Sequence, residues 1–194
     1  MIIAIDGPSA AGKGTLARGV AKHFGWHFLD TGSLYRMVGL QVLRGAADPV
    51  TAAQSLNPAE FNDAELRDEK VAQAASKVAA IADVRKALLD FQRAFALKKP
   101  GAVLDGRDIG TVICPKADFK FYVTASVQAR AARRFKELES SGATLEEITE
   151  DIKSRDERDA KQSQPAEDAI LIDTSELEAD EVFREVIKVI KGDI

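Results

Sequence analysis

The segment Gly7-Pro8-Ser9-Ala10-Ala11-Gly12-Lys13-Gly14-Thr15 has the residue types and spacing to hold a polyphosphate. Its glycines let the backbone turn tightly and present N–H groups to phosphate oxygens, and Lys13 can reach the β and γ phosphates of a nucleotide. A helix that follows adds the positive end of its dipole. Gly14 stands where such loops usually carry the Ser or Thr that binds magnesium, and the nearest hydroxyl is Thr15. Phosphoryl transfer needs charge neutralisation and alignment more than covalent chemistry, so arginines should converge on the same place. Arg36 and Arg107 each follow a short apolar run, while Arg155, Arg158, Asp159 and Gln162 recur at i, i+3, i+4, i+7, the spacing of one helix face. Asp105 ends an apolar run and is placed to organise magnesium through water. Each has a plainer reading: a turn cap for Asp105, a solvated charge for a single arginine, a weak surface ion pair Asp151–Arg155–Asp159 for the helix face.

These side chains can meet only if the elements carrying them end at a common edge. Ile2–Ile5 reads as a buried strand, Lys13–Phe24 as a helix with Leu16, Val20 and Phe24 at i, i+4, i+8, and Trp26–Leu29 as a second strand. A helix is predicted from Ser33 to about Arg44. Residues 45–66 are irregular, with Asn57-Pro58-Ala59-Glu60 as a helix start. From Val71 to Leu97 apolar residues recur at helical spacing, including Phe91 and Phe95, until Lys99-Pro100-Gly101 stops the helix. Strands follow at Ala102–Asp105, Phe119–Val123 and Ile170–Ile172. Helices are predicted from Ser126 to about Glu139, from the capping box Thr144–Glu147 to about Gln162, and over the C-terminal stretch through Val182, Val186 and Ile190. Five strands with helical crossovers indicate an open doubly wound α/β sheet, in which ligands bind at the carboxyl ends of the strands.

Composition narrows the class. The chain has 194 residues, 45% hydrophobic and 30% charged, which fits one domain carrying small insertions. Lys plus Arg number 27 against 31 for Asp plus Glu, a net of -4, which disfavours a nucleic-acid partner. Cys114 is the single cysteine, so no internal disulfide forms, and one Cys with two histidines makes a poor zinc set. No apolar run approaches the roughly 18 residues of a membrane span, and Met1–Asp6 lacks the features of a signal peptide, so a cytoplasmic protein is expected. His23 and His27 beside Trp26, and Cys114, are expected to serve packing alone.

Four further stretches acquire meaning together: Leu29–Arg36 (Leu-Asp-Thr-Gly-Ser-Leu-Tyr-Arg), Ala74-Ala75-Ser76 with Val84-Arg85, Asp105–Thr111 (Asp-Gly-Arg-Asp-Ile-Gly-Thr) and Arg155–Asp159 (Arg-Asp-Glu-Arg-Asp). With the Gly-Lys-Gly-Thr form of the phosphate loop, the chain resembles the bacterial cytidylate kinase family from end to end. The resemblance implies a P-loop NTPase fold of three α/β/α layers around a five-stranded parallel sheet. Its core would be residues 1–36, 81–139 and 163–194, with a small helical monophosphate-binding insertion at about 37–80 and a lid at about 140–162. It implies transfer of the ATP γ-phosphoryl group to CMP or dCMP, with Mg2+; a monomer is expected because no long exposed apolar stripe asks for a partner, and neither a nucleic-acid nor a membrane partner is expected. Gly7 to Thr15, with Arg130 and Arg133, would bind ATP. Thr31, Arg36, Ser76, Arg85, Arg107, Asp108, Arg155 and Asp159 would bind CMP, Thr31 standing where the family usually has Ser. Lys13, Arg107 and Arg158 would act on the transferring phosphates, and Thr15 and Asp105 would hold the metal through water.

Two departures matter. Gln162 replaces the family's usual arginine toward the acceptor phosphate, and Lys161 or another lid arginine is the expected substitute. The stretch between Arg36 and Ser76 is short, so selectivity among monophosphates is expected to be looser. Within the same fold, kinases of AMP, shikimate or a sugar acid remain alternatives, which Asp108, Ser76 and Arg85 argue against. A GTP-binding switch is a further alternative, but the Asn/Thr-Lys-x-Asp guanine motif is absent.

Overall fold

The computed structural model describes residues 1–46, 48–137 and 142–192, without the side chains of residues 67 and 69. It contains a five-stranded sheet in the order β2-β3-β1-β4-β5, formed by β1 (Ile2–Asp6), β2 (His27–Asp30), β3 (Ala102–Gly106), β4 (Phe119–Thr124) and β5 (Ile170–Asp173). The central strand β1 pairs in parallel with β3 and β4, and β4 with β5. Helices α1 (Lys13–Phe24), α2 (Thr31–Leu43), α3 (Pro49–Gln54), α4 (Glu69–Ala79), α5 (Ala82–Ala96), α6 (Val127–Glu137), α7 (Leu145–Asp159) and α8 (Ala179–Lys191) fill the connections. The chain divides into two compact units, Met1–Leu29 with Ala96–Ile194, and Asp30–Phe95.

The first unit is built around β1 and β3, buried on both faces, which is why they read as continuous apolar runs. Ile3, Ile5, Val103, Phe121, Val123 and Ile172 pack with Leu16, Ala17 and Val20 of α1 and Val182, Val186 and Ile187 of α8. His23 and His27 are both exposed: His23 meets Phe24 and Phe183 edge-on, and His27 Nε2 meets the Lys99 carbonyl at 2.8 Å. A smaller cluster, Ala131 with Ile148 and Ile152, holds α7 on α6. Beyond α7 the chain is pinned to β4 by Tyr122, whose hydroxyl donates to the Ser163 carbonyl at 2.9 Å, and by Lys120, which meets both Asp168 oxygens at 2.8 Å.

In the second unit Gly39 of α2 lets α4 approach so closely that a Cβ there would lie 2.8 Å from the Ala75 nitrogen. The continuous helix expected over Val71–Leu97 is instead two, α4 and α5, broken after Ala79. Val78 and Val84, both buried, lie on either side of the break, about 120° apart on a straight helix. The inward face of α5 is Val84, Leu88, Gln92 and Ala96, and Phe91 is 40% exposed.

Other boundaries also moved. Asn57–Glu60 forms one 3-10 turn rather than opening a helix, with Asn57 Oδ1 accepting from the Ala59 amide. Helix α3 was not anticipated; Asp48 caps it and Pro49 starts it. Helix α7 begins in the expected capping box of Thr144 and Glu147 but ends at Asp159. Gln162 therefore lies in the turn beyond α7 and not on its face, its amide donating back to the Asp159 carbonyl at 2.9 Å. The expected end of α6 at about Glu139 and the start of the lid at 140 lie outside the described residues.

Candidate active site

The phosphate loop leaves the carboxyl end of β1, beside the ends of β3 and β4. Gly7 has φ +143°, and a Cβ on it would fall 1.9 Å from the Val123 carbonyl oxygen, so no other residue fits. Ala10 at φ +60° and Gly12 at φ +90° complete the turn, and no side chain caps the first amides of α1. Their partial positive charge is thus left for an anion.

Lys13 is only 6% exposed. Its ammonium donates to the Pro8 carbonyl at 2.7 Å and lies 4.0 Å from Asp105 Oδ1. Burial, then the neighbouring Arg107 charge, lowers its pKa to about 8, and Asp105 opposes the fall. Space at Gly14 is tight: a Cβ there would lie 3.1 Å from Asp105 Oδ2 and 3.2 Å from an Arg18 nitrogen, so a larger residue requires one of these side chains to give way. Asp105 is buried, whereas Thr15 is exposed at the opening of an adjoining cavity. Among the described residues no three acids, histidines or cysteines gather into a metal cage. One carboxylate and one hydroxyl beside a phosphate loop fit Mg2+, which takes few protein ligands and completes its shell with phosphates and water.

On the β3 side, Arg107 donates from Nε to Asp159 Oδ2 at 3.0 Å and from a terminal nitrogen to the Gly7 carbonyl at 3.0 Å. Arg155 lies 4.0 Å from the same Asp159 oxygen. Asp108 is buried and precedes a π-helical turn, Ile109–Ile113. That turn is held by Asp6, whose two oxygens accept from the Ile109 and Gly110 amides at 2.8 and 2.7 Å. Burial raises the Asp6 pKa to about 6 against those two hydrogen bonds, and the nearby Asp108 charge raises it further. A Cβ on Gly110 would meet Lys120 and Asp6 within 3.2–3.3 Å, which ties this glycine to the turn. Sequence reasoning passed over Asp6, although an acid ending a buried strand next to the loop was a usable signal.

On the β4 side, α6 supplies two arginines. Arg130, 4% exposed, makes a bidentate pair with Asp156 at 2.9 and 2.6 Å and donates to the Ser9 carbonyl at 3.3 Å. Arg133 donates to the Thr174 hydroxyl at 2.9 Å and to its carbonyl, and that hydroxyl is 3.2 Å from the Ala11 carbonyl. Next to this network a cavity of about 550 Å³ is lined by Gly12, Thr15, Arg133, Lys136, Thr174 and the Ser175–Ala179 segment. This is the size range of small-molecule sites. The Thr174–Ala179 lining had no motif to announce it; only its place after a strand end pointed there.

The structure therefore gathers Lys13, Asp105, Arg107, Arg155 and Asp159 around the loop. Arg158 lies on the exposed side of α7, its Nε donating to the Ser154 carbonyl of the same helix. In the second unit Thr31 is buried at the start of α2, next to Asp30, which accepts from the Ser33 amide; Arg36, Ser76 and Arg85 sit half-buried on α2, α4 and α5.

Comparison with known proteins gives a consistent result. The family model described as cytidylate kinase matches residues 3–63 and 55–192. A cytidylate kinase of Paramagnetospirillum magneticum is 51% identical over 97% of each chain, and one of Cereibacter sphaeroides 52% identical over 97% of this chain and 94% of the relative. Among solved structures, an uncharacterized protein of Eubacterium ventriosum aligns over 98% of both chains with a TM-score of 0.61 at 16% identity, which speaks for the fold alone. By a match that runs through both units, and by half of its residues shared with these relatives, the chain belongs to the cytidylate kinase family.

Proposed function

We propose that the chain transfers the γ-phosphoryl group of ATP to CMP or dCMP, giving ADP and CDP or dCDP, with the roles that follow. The observation that carries this is the buried Lys13 ammonium, held at the mouth of an uncapped helix with Arg107 beside it and a base-sized cavity adjoining. The ATP phosphates lie over Gly7 to Thr15, and the base occupies the cavity flanked by Arg133 and Ser175–Ala179. Lys13 exchanges the Pro8 carbonyl for phosphate oxygens. Asp105 and Thr15 hold Mg2+ through water, and when bound the ion neutralises phosphate charge.

On the acceptor side, the family resemblance assigns the CMP phosphate to Arg36 and Arg107, the cytosine to Asp108, Ser76 and Arg85, and the sugar hydroxyls to Arg155 and Asp159, with Thr31 near the base or sugar. A carboxylate suits the cytosine amino group, and Arg and Ser suit its ring acceptors. In this state Asp159 occupies the Arg107 guanidinium, so acceptor binding repartners both. No general base is needed, because the acceptor phosphate is largely dianionic near neutral pH. Movement of α7 within the lid excludes water and brings Arg158 to the transferring group. Initial rates with CMP, dCMP, UMP and AMP at equal ATP test the reading. CMP or dCMP should lead by at least tenfold in kcat/KM, and a preference for AMP would overturn it.

A further inference from the structure

Two arginines bracket the phosphate loop in the same way. Arg107 joins Asp159 to the Gly7 carbonyl, and Arg130 joins Asp156 to the Ser9 carbonyl. Asp156 and Asp159 are three residues apart on α7 and so project from one face. Arg107 has a part in the proposed chemistry. Arg130 is different, because its Nε is committed to the Ala125 carbonyl and both terminal nitrogens to Asp156. A buried guanidinium in a two-pronged pair with a carboxylate is fixed in orientation as well as charge.

We propose that Asp156 is a positioning residue which, through Arg130, ties the seating of α7 to the phosphate-binding shape of the loop and so couples donor binding to acceptor binding. The step from Arg130 to the loop is one of peptide geometry. The Ser9 carbonyl and the Ala10 N–H are opposite ends of one rigid plane, so drawing the carbonyl toward Arg130 turns the N–H the other way. Ala10 sits at φ +60°, a conformation that a non-glycine residue keeps only when its surroundings hold it. Without the Asp156 carboxylate, Arg130 is a buried charge lacking its partner and must reorient, releasing the Ser9 carbonyl. The coupling rests on the phosphotransfer reading, in which α7 carries the acceptor-binding Arg155 and Asp159.

The test is calorimetric titration of the full chain with Mg2+ and the non-hydrolysable β,γ-imido analogue of ATP, with and without saturating CMP. The ratio of the two dissociation constants is the coupling. In the parent chain CMP should tighten the analogue severalfold. Asp156→Asn should bring the ratio to about one, and Arg130→Lys, which keeps the charge but loses the fork, should do the same. The double variant should lose no more than either single change. A parent ratio of one, or a ratio that both variants preserve while weakening each ligand equally, overturns the proposal by reducing Asp156 to a prop for α7. Failure of the phosphotransfer reading is distinguishable: the parent chain then neither binds nor phosphorylates CMP, and the proposal falls with it.

Discussion

Lys13 is an ammonium that the fold has withdrawn from water before any phosphate arrives. Burial and Arg107 disfavour its charge, and the Pro8 carbonyl and Asp105 only partly compensate. Lys13→Met should therefore abolish turnover and leave a folded chain of equal or greater thermal stability; a lower melting temperature would show that the charge supports the fold. Arg158 is the contrasting case, exposed on α7 and bonded only locally in what is described. If α7 delivers it to the transferring phosphoryl group, Arg158→Ala lowers kcat by roughly 10³-fold. A change confined to KM would mean that it touches only the ground state. Gln92 is 1% exposed, and its Oε1 is the buried side-chain atom without a hydrogen-bond partner among the described residues. Gln92→Met should raise unfolding free energy by about 1 kcal/mol in chemical denaturation, because the unmet buried acceptor it removes costs more than the Nε2 bond to the Leu88 carbonyl it gives up.

At the scale of elements, the loops that carry chemistry are held by acids from neighbouring segments. Asp6 of β1 fixes the π-helical turn that follows Arg107 and Asp108, and Asp156 and Asp159 fix α7 to the arginines. Helix α7 itself rests on a small apolar cluster and on the capping box of Thr144 and Glu147, whose carboxyl pKa is lowered chiefly by the Thr144 backbone amide. Thr144→Ala should cost about 1 kcal/mol, seen as faster amide exchange along α7 with the β-sheet unaffected. Uniform loss of protection across the sheet would show that α7 does not open separately. Periodicity detects the apolar face of a helix but not a break within it, so α4 and α5 read as one helix.

For the whole molecule, Asp6 links fold stability to pH. Its pKa in the folded chain is about 6 against an ordinary 3.8, so the folded state binds the proton more tightly than the unfolded state. Its contribution is full below about pH 4 and is lost as pH rises through 6, by up to about 3 kcal/mol. The parent chain should thus lose stability over this window relative to Asp6→Asn, read as the difference between their unfolding free energies at pH 4 and pH 7. A constant difference would place the Asp6 pKa near its ordinary value. Among the described residues no helix is long and apolar enough to cross a membrane.

The five strands and the helices flanking them, the phosphate loop and the arginine-bearing motifs were legible in the amino-acid sequence, whereas α3 and the break between α4 and α5 were not. They depend on short-range patterns: buried strands as apolar runs, a glycine-rich turn before a helix, arginines just past strand ends. The family followed from motifs in that same order. What the tertiary structure decided are contacts between segments far apart in the chain. Asp105, ninety-one residues later, comes within 3.1 Å of where a Cβ on Gly14 would sit; the loop carbonyls of Gly7 and Ser9 are claimed by Arg107 and Arg130; and a cavity lies between the loop, α6 and the Ser175–Ala179 segment. Such pairings leave no periodic trace, because sequence spacing constrains neighbours on one element and only packing brings separate elements within hydrogen-bond reach.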